Sequence, residues 1–187
     1  TATVTALSMH ARAVRYLHPP LIPQLREKLM PRRQRLARAQ EEAGELDPDL
    51  AEAARLMLAA YQPFLDAEDM RGIADIYRSF WFVSQALEIL YPLRRTYPGL
   101  YDLFLESAVR DYINALDPEH ASGYRTGIIH AGDEPYARGG YSLYVPESYD
   151  GRSPWPLVIA LHGGHGHGRD FLWMWLREAK SRRFLLL

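Results

Sequence analysis

Apolar residues recur along this chain with two different periods. Over residues 1–117 they fall at helical spacing with sparse punctuation; from about Gly123 onward short β-rich runs alternate with Gly, Asp and Pro turns. The change of period predicts two domains, a helical one over 1–122 and a second of alternating strand and helix over 123–187. No internal repeat of fixed period interrupts either part.

In the first part, Pro19, Pro20, Pro23 and Pro31 are expected to cut the opening into short helices. Residues 26–38 carry six basic side chains, Arg26, Lys28, Arg32, Arg33, Arg35 and Arg38, against Glu27 alone, a basic face balanced by the following Glu41, Glu42 and Glu45. Asp47-Pro48-Asp49 offers an N-cap, a proline at the first helical position and an acidic first turn, so a helix is predicted over 48–61. Its apolar face is Leu50, Ala54, Met57, Leu58 and Tyr61. The clearest helix follows: Ile73, Ile76, Phe80, Val83, Leu87 and Leu90 are spaced 3, 4, 3, 4, 3 and share one stripe, which ends near Tyr91-Pro92. Tyr101, Leu105, Ala108, Tyr112 and Ala115 repeat the pattern until Asp117-Pro118, and these two helices are expected to pair antiparallel. Phe80, Trp81 and Phe82 point three ways from one turn, so one of them should meet another domain or subunit.

In the second part, 125–131 and 140–146 read as strands joined by a polar connection. The run 157–161 (LVIAL) has the length of a strand buried on both faces of a parallel sheet. It leads into His162-Gly163-Gly164-His165-Gly166-His167-Gly168, then a helical pattern through Phe171, Met174 and Trp175, then the opening of another apolar strand at 184–187. Strand, Gly-rich loop, helix and strand make a βαβ unit.

Composition narrows the chemistry. The 187 residues are 48% hydrophobic and 24% charged with formal net charge −1, a balance that predicts a globular chain and lacks the basic footprint of a nucleic-acid binder. With no cysteine, thiolate nucleophiles, disulfides and thiolate metal sites are excluded, leaving oxygen and imidazole groups. No apolar run reaches the roughly 18 residues of a membrane span, and no secretory leader pattern opens the sequence, so a cytoplasmic protein is expected. Arginine outnumbers lysine 20 to 2, which reads as codon bias rather than function.

The glycines of the loop permit backbone N–H groups to approach a ligand closely at the C-terminal edge of a parallel strand. Such donors, aided by the following helix N-terminus, suit an anion: a tetrahedral oxyanion, a phosphate or a carboxylate. The stretch YSLYVPESYDGRSPWPLVIALHGGHGHGRDFLW, and residues 125–187 more broadly, resembles the opening of an α/β-hydrolase esterase of the phospholipase/carboxylesterase or polyhydroxybutyrate-depolymerase-like kind. In that family an antiparallel hairpin leads to a strand ending in Leu-His-Gly, and a backbone N–H just beyond it forms half the oxyanion hole. The resemblance implies an α/β protein in which an N-terminal helical domain, a cap or an oligomer interface, precedes the first strands of a hydrolase sheet. It implies Gly164 as the first-choice oxyanion donor, with His165 and Gly163 next, His162 ordering the loop, a carboxylic ester as substrate and no cofactor.

The sequence also departs from the family. The hydrolase nucleophile sits in a G-x-S-x-G elbow on a later strand, and none of the serines here stands in that context. The expectation is therefore an N-terminal portion of a serine esterase, inactive alone, whose C-terminal segment carries the elbow and triad and pairs with it. Two other readings use the same residues. His162, His165, His167 and Asp170 offer nitrogen and oxygen ligands for zinc, although Arg169 stands where a metallo-β-lactamase-like H-x-H-x-D-H motif has its carboxylate. The long helical part would also suit a non-catalytic interaction module of hydrolase ancestry, with homo-oligomerisation through the helices.

Overall fold

The computed structural model describes residues 5, 19–44, 47–66, 70–119, 123–132, 139–163 and 166–187. Two compact units result, Thr1–Leu103 and Phe104–Leu187. Together they make a mixed α/β chain in which helices precede a four-stranded sheet.

The first unit is built on α1 (Ile22–Gly44), α2 (Pro48–Asp66), α3 (Met70–Arg78) and α4 (Phe80–Leu93). Among the described residues the expected fragmentation at Pro23 and Pro31 does not occur. Pro19 and Pro20 form a 3-10 turn, Pro19–Leu21, and Pro23 lies in the first turn of α1, where a missing N–H forfeits no helical bond. Pro31 sits inside the helix and removes one such bond, yet α1 runs on because Ile22, Leu29 and Leu36 form a buried stripe on both sides of it. Helix α2 packs against α1 and α4, and its buried residues Ala53, Ala54, Leu56, Met57, Ala60, Tyr61 and Phe64 accordingly occupy a broad arc.

Asp47 caps α2 as its sequence context predicts. Its Oδ1 accepts the backbone N–H of Asp49 at 2.9 Å and of Leu50 at 3.4 Å, and its Oδ2 accepts the Tyr97 hydroxyl at 2.9 Å. The Tyr97 hydrogen bond, followed by the two backbone donors, holds the Asp47 carboxyl below its ordinary range, while the same pairing raises the Tyr97 phenol. Because the folded carboxyl is the stronger acid, its contribution to stability is present above the unfolded value of about 3.9 and is lost as pH falls through the lower folded value. The raised phenol contributes below about 10 and loses that contribution as pH rises through its folded value. Tyr97→Phe should therefore flatten both limbs of the first unit's stability profile, measured by urea unfolding from pH 2 to 11. Unchanged limbs would show that the pair does not couple to folding.

The long stripe beginning at Ile73 is interrupted at one residue. Ser79 Oγ donates to the Ile76 carbonyl at 2.6 Å, a local alternative to the helical ladder, and the chain turns there between α3 and α4. Trp81 is 51% exposed, whereas Phe80 and Phe82 are half-buried, so the three aromatics do diverge. Helix α4 continues past Pro92 to Leu93; the guanidinium of Arg94 then covers the Tyr91 ring at 3.9 Å and donates to the Tyr91 carbonyl at 2.6 Å.

The second expected helix, over 101–115, is three short pieces, Tyr101–Phe104, the 3-10 segment Ser107–Tyr112 and Ile113–Leu116. Side chains of a later helix replace the helical bonds at the break: Ser181 Oγ accepts the Glu106 N–H at 2.8 Å, and Arg177 Nε donates to the Leu105 carbonyl at 3.0 Å. The expected antiparallel partner of α4 is therefore not a continuous helix, and within the first unit α4 packs on α2. The same side-chain bonds explain why the compact unit begins at Phe104, ahead of the change in composition near Gly123.

The sheet has the order β1-β2-β4-β3. Strands β1 (Gly127–Ala131) and β2 (Tyr141–Val145) pair antiparallel with Gly127 opposite Val145, and β2 pairs antiparallel with β4 (Leu185–Leu186) through Tyr144 and Leu186. Strand β3 (Leu157–Val158) runs parallel to β4. Helix α5 (Gly168–Arg182) joins those two strands and packs on β2 and β4, burying Leu172, Trp173, Leu176 and Ala179. It ends with Arg183 in the left-handed region, φ 60, its guanidinium 4.9 Å above the Trp155 ring.

The expectation that 157–161 is buried on both faces is corrected. Leu157, Ile159 and Leu161 are 53%, 60% and 84% exposed. The physical reason is position: β3 is an edge strand bonded to β4, and Leu157, Ile159 and Leu161 share one face of it by alternation, a face that is left exposed. Among the described residues no helix is long and apolar enough to cross a membrane.

Candidate functional site

The loop after β3 leaves the sheet at its C-terminal end. Ala160 N–H makes the last bond to β4, to the Leu187 carbonyl at 2.7 Å, and Leu161, His162 and Gly163 then enter solvent. The Gly163 carbonyl accepts the Gly166 N–H at 2.9 Å, closing a tight turn. Gly164 and His165, the first and second choices for oxyanion donors, lie outside the described residues.

Gly166 stands where a side chain would be crowded. A Cβ there would stand 3.0 Å from the Gly163 oxygen, 3.0 Å from His162 Cβ and 3.2 Å from His162 Nδ1. His162 thus lies close over Gly166. A Cβ on Gly163, by contrast, would meet nothing within 4 Å, so space does not demand glycine at that position.

After the turn, His167 takes the N-cap position of α5 with an extended backbone, φ −132 and ψ 141, and its carbonyl accepts the Phe171 N–H at 3.0 Å. Its side chain makes no capping bond. Asp170 lies in the first turn, where a negative charge is favoured by the helix dipole. The arrangement brings a Gly-rich turn and a 15-residue helix N-terminus to the same end of β3. Among the described residues no group of three His, Asp or Glu side chains is placed to hold a metal. His165, one member of the candidate zinc set with His162, His167 and Asp170, lies outside them.

Two clusters elsewhere in this unit escaped the sequence reading. His130 Nδ1 and Ser142 Oγ are 2.8 Å apart on directly opposed residues of β1 and β2. Ser142 is 4% exposed and its hydroxyl sits within the hairpin, so the pair is a cross-strand hydrogen bond rather than an accessible nucleophile and its base. Their opposition could have been found by registering the two predicted strands.

The second cluster is ionic. Lys180, fully buried on α5, places its Nζ 2.5 Å from Glu147 Oε2 and 3.1 Å from Asp117 Oδ2. Tyr144 Oη donates to the same Glu147 oxygen at 2.8 Å. The signal was present in the sequence: Lys180 continues the i, i+4 row of Leu172 and Leu176, an apolar stripe in which a cation needs buried partners. The cluster ties together the segment after Ile113–Leu116, the end of β2 and α5.

No protein-family model, curated protein or solved structure matches the chain.

Proposed function

We propose that this chain supplies one side of the oxyanion hole of a serine carboxylic-ester hydrolase, and that the nucleophile elbow and the remainder of the triad belong to a partner segment outside residues 1–187. The observation that carries this reading is the parallel β3–α5–β4 crossover with a tight Gly-rich turn at the C-terminal end of β3, where α/β sheets bind ligands. The open edge of β3 adds support. Leu157, Ile159 and Leu161 expose apolar side chains on an edge suited to a further strand, a surface that is an association hazard when left uncovered.

In the proposed reaction, the partner's serine attacks the ester carbonyl while its histidine accepts the hydroxyl proton. The carbonyl oxygen becomes an oxyanion and is received by the N–H of Gly164, with those of His165 and Gly163 as the adjacent donors. The positive end of α5 favours the same charge. Collapse expels the alcohol, protonated by the histidine, and water then releases the acid from the acyl-serine.

This assignment makes residues 1–187 inert by themselves. Purified alone and given p-nitrophenyl butyrate, they should show no serine-dependent turnover. Turnover abolished by replacement of any serine in this chain would overturn the proposal.

A further inference from the structure

The helical unit contains a cleft of about 570 Å³ that the hydrolase reading does not use, within the range of roughly 300–1,000 Å³ typical of small-molecule sites. Its walls come from α1, α2, α3 and α4. Leu58, Pro63 and Phe82 are half-buried there and give it an apolar surface.

The polar groups of this cleft are of opposite kinds. Arg33, from α1, has a buried Nε with no hydrogen-bond partner among the described residues, a donor left without the compensation that buried polar groups ordinarily find. On the facing helix, Pro63 carries no N–H, so the Ala59 carbonyl loses its i+4 donor; both residues line the cleft. Asp66 stands at the exposed rim, held by the Gln62 amide at 2.9 and 3.0 Å. Asp75 is already paired with Arg78 at 2.7 Å, so Asp66 is the carboxylate better placed to receive a ligand cation.

We propose that this cleft binds a small zwitterion of dipeptide size with an apolar body. Its carboxylate meets Arg33, its ammonium meets Asp66 and the Ala59 carbonyl, and its apolar side chains lie on Leu58, Pro63 and Phe82. Arg33 and Asp66 belong to different helices, one half-buried and one at the rim, so the ligand's two charges must be separated by a body rather than carried on one carbon. A carboxylate can pair with the Arg33 guanidinium that lines the cleft, and neither an apolar ligand nor a simple amine could do so. The inference is independent of the esterase proposal and stands or falls without it.

The test is isothermal titration of the chain with L-leucyl-L-phenylalanine, its N-acetyl form and its C-terminal amide. Saturable binding of one free dipeptide per chain is expected, weakened at least about tenfold by either blocking group. Arg33→Met should make the free acid and the amide bind equally. Asp66→Asn, at an exposed position where folding is least at risk, should remove the preference for the free ammonium while keeping that for the carboxylate. No binding of the free dipeptide by about 10 mM, equal binding of the blocked forms, or an Asp66→Asn protein that keeps its preference for the free ammonium would each overturn the proposal.

Discussion

Lys180→Met should destabilise the Phe104–Leu187 unit by about 3–5 kcal/mol, the usual consequence of removing one partner from a buried ion pair. The loss exceeds that of an ordinary contact because of what is left behind. Asp117 and Glu147 are 4% and 8% exposed, and without the ammonium two carboxylates share a space from which water is excluded. Methionine matches the length of the lysine stem, so packing changes little and the electrostatic contribution is isolated. Urea unfolding followed by tryptophan fluorescence, with Trp155, Trp173 and Trp175 as reporters in this unit, reads the effect. Adding Glu147→Gln should recover part of it, since the double variant buries one charge fewer; a loss within about 0.5 kcal/mol for the single variant would mean that the ions are not buried together in solution.

Under the proposed function, Gly166→Ala should lower the kcat of the assembled hydrolase by up to on the order of 10²-fold, approaching the loss of an oxyanion donor, while leaving KM and the stability of this unit nearly unchanged. The reasoning is local. The new Cβ would stand 3.0 Å from both the Gly163 oxygen and His162 Cβ, so the turn has to open by a few tenths of an ångström. In the proposed mechanism the donors are the N–H groups of Gly164 and His165, which follow Gly163 in sequence, so a change at the Gly163–Gly166 hydrogen bond is expected to move them away from the developing charge. Exposure of His162 and Gly163 keeps the stability cost small, because no core contact is broken. Gly163→Ala serves as the comparison, since its Cβ has open space. Equal kcat for wild type and Gly166→Ala would show that this turn does not position the donor.

Local signals were legible where one residue's chemistry decides the outcome. Asp47-Pro48-Asp49 marked the start of α2, and the alternation around β1 and β2 gave the hairpin. The βαβ unit could be read because apolar runs flank a Gly-rich loop and an amphipathic helix. The errors came from tertiary competition. Residues 101–115 have helical spacing, but the side chains of Arg177 and Ser181 satisfy the backbone at Leu105 and Glu106 and make a break stable. The four prolines of the opening looked like breaks, yet burial of Leu29 and Leu36 carries α1 through Pro31. The run 157–161 was apolar enough for a central strand, and only the strand order reveals that it is an edge. Within the candidate site, the glycine pattern pointed to the loop, but which glycine is sterically crowded emerges only from His162 lying over Gly166.

The central claim is that residues 1–187 bring oxyanion donors to a serine they do not carry. It is tested most directly by treating the protein from its native source with a fluorophosphonate probe, denaturing it and recording the intact masses. The account predicts an unmodified polypeptide containing the 1–187 sequence as a separate chain, or as the unlabelled part of a longer one after proteolysis, with the probe on a serine of the segment bearing G-x-S-x-G. A probe adduct on any serine within residues 1–187 would contradict it, as would the absence of labelling anywhere in the sample.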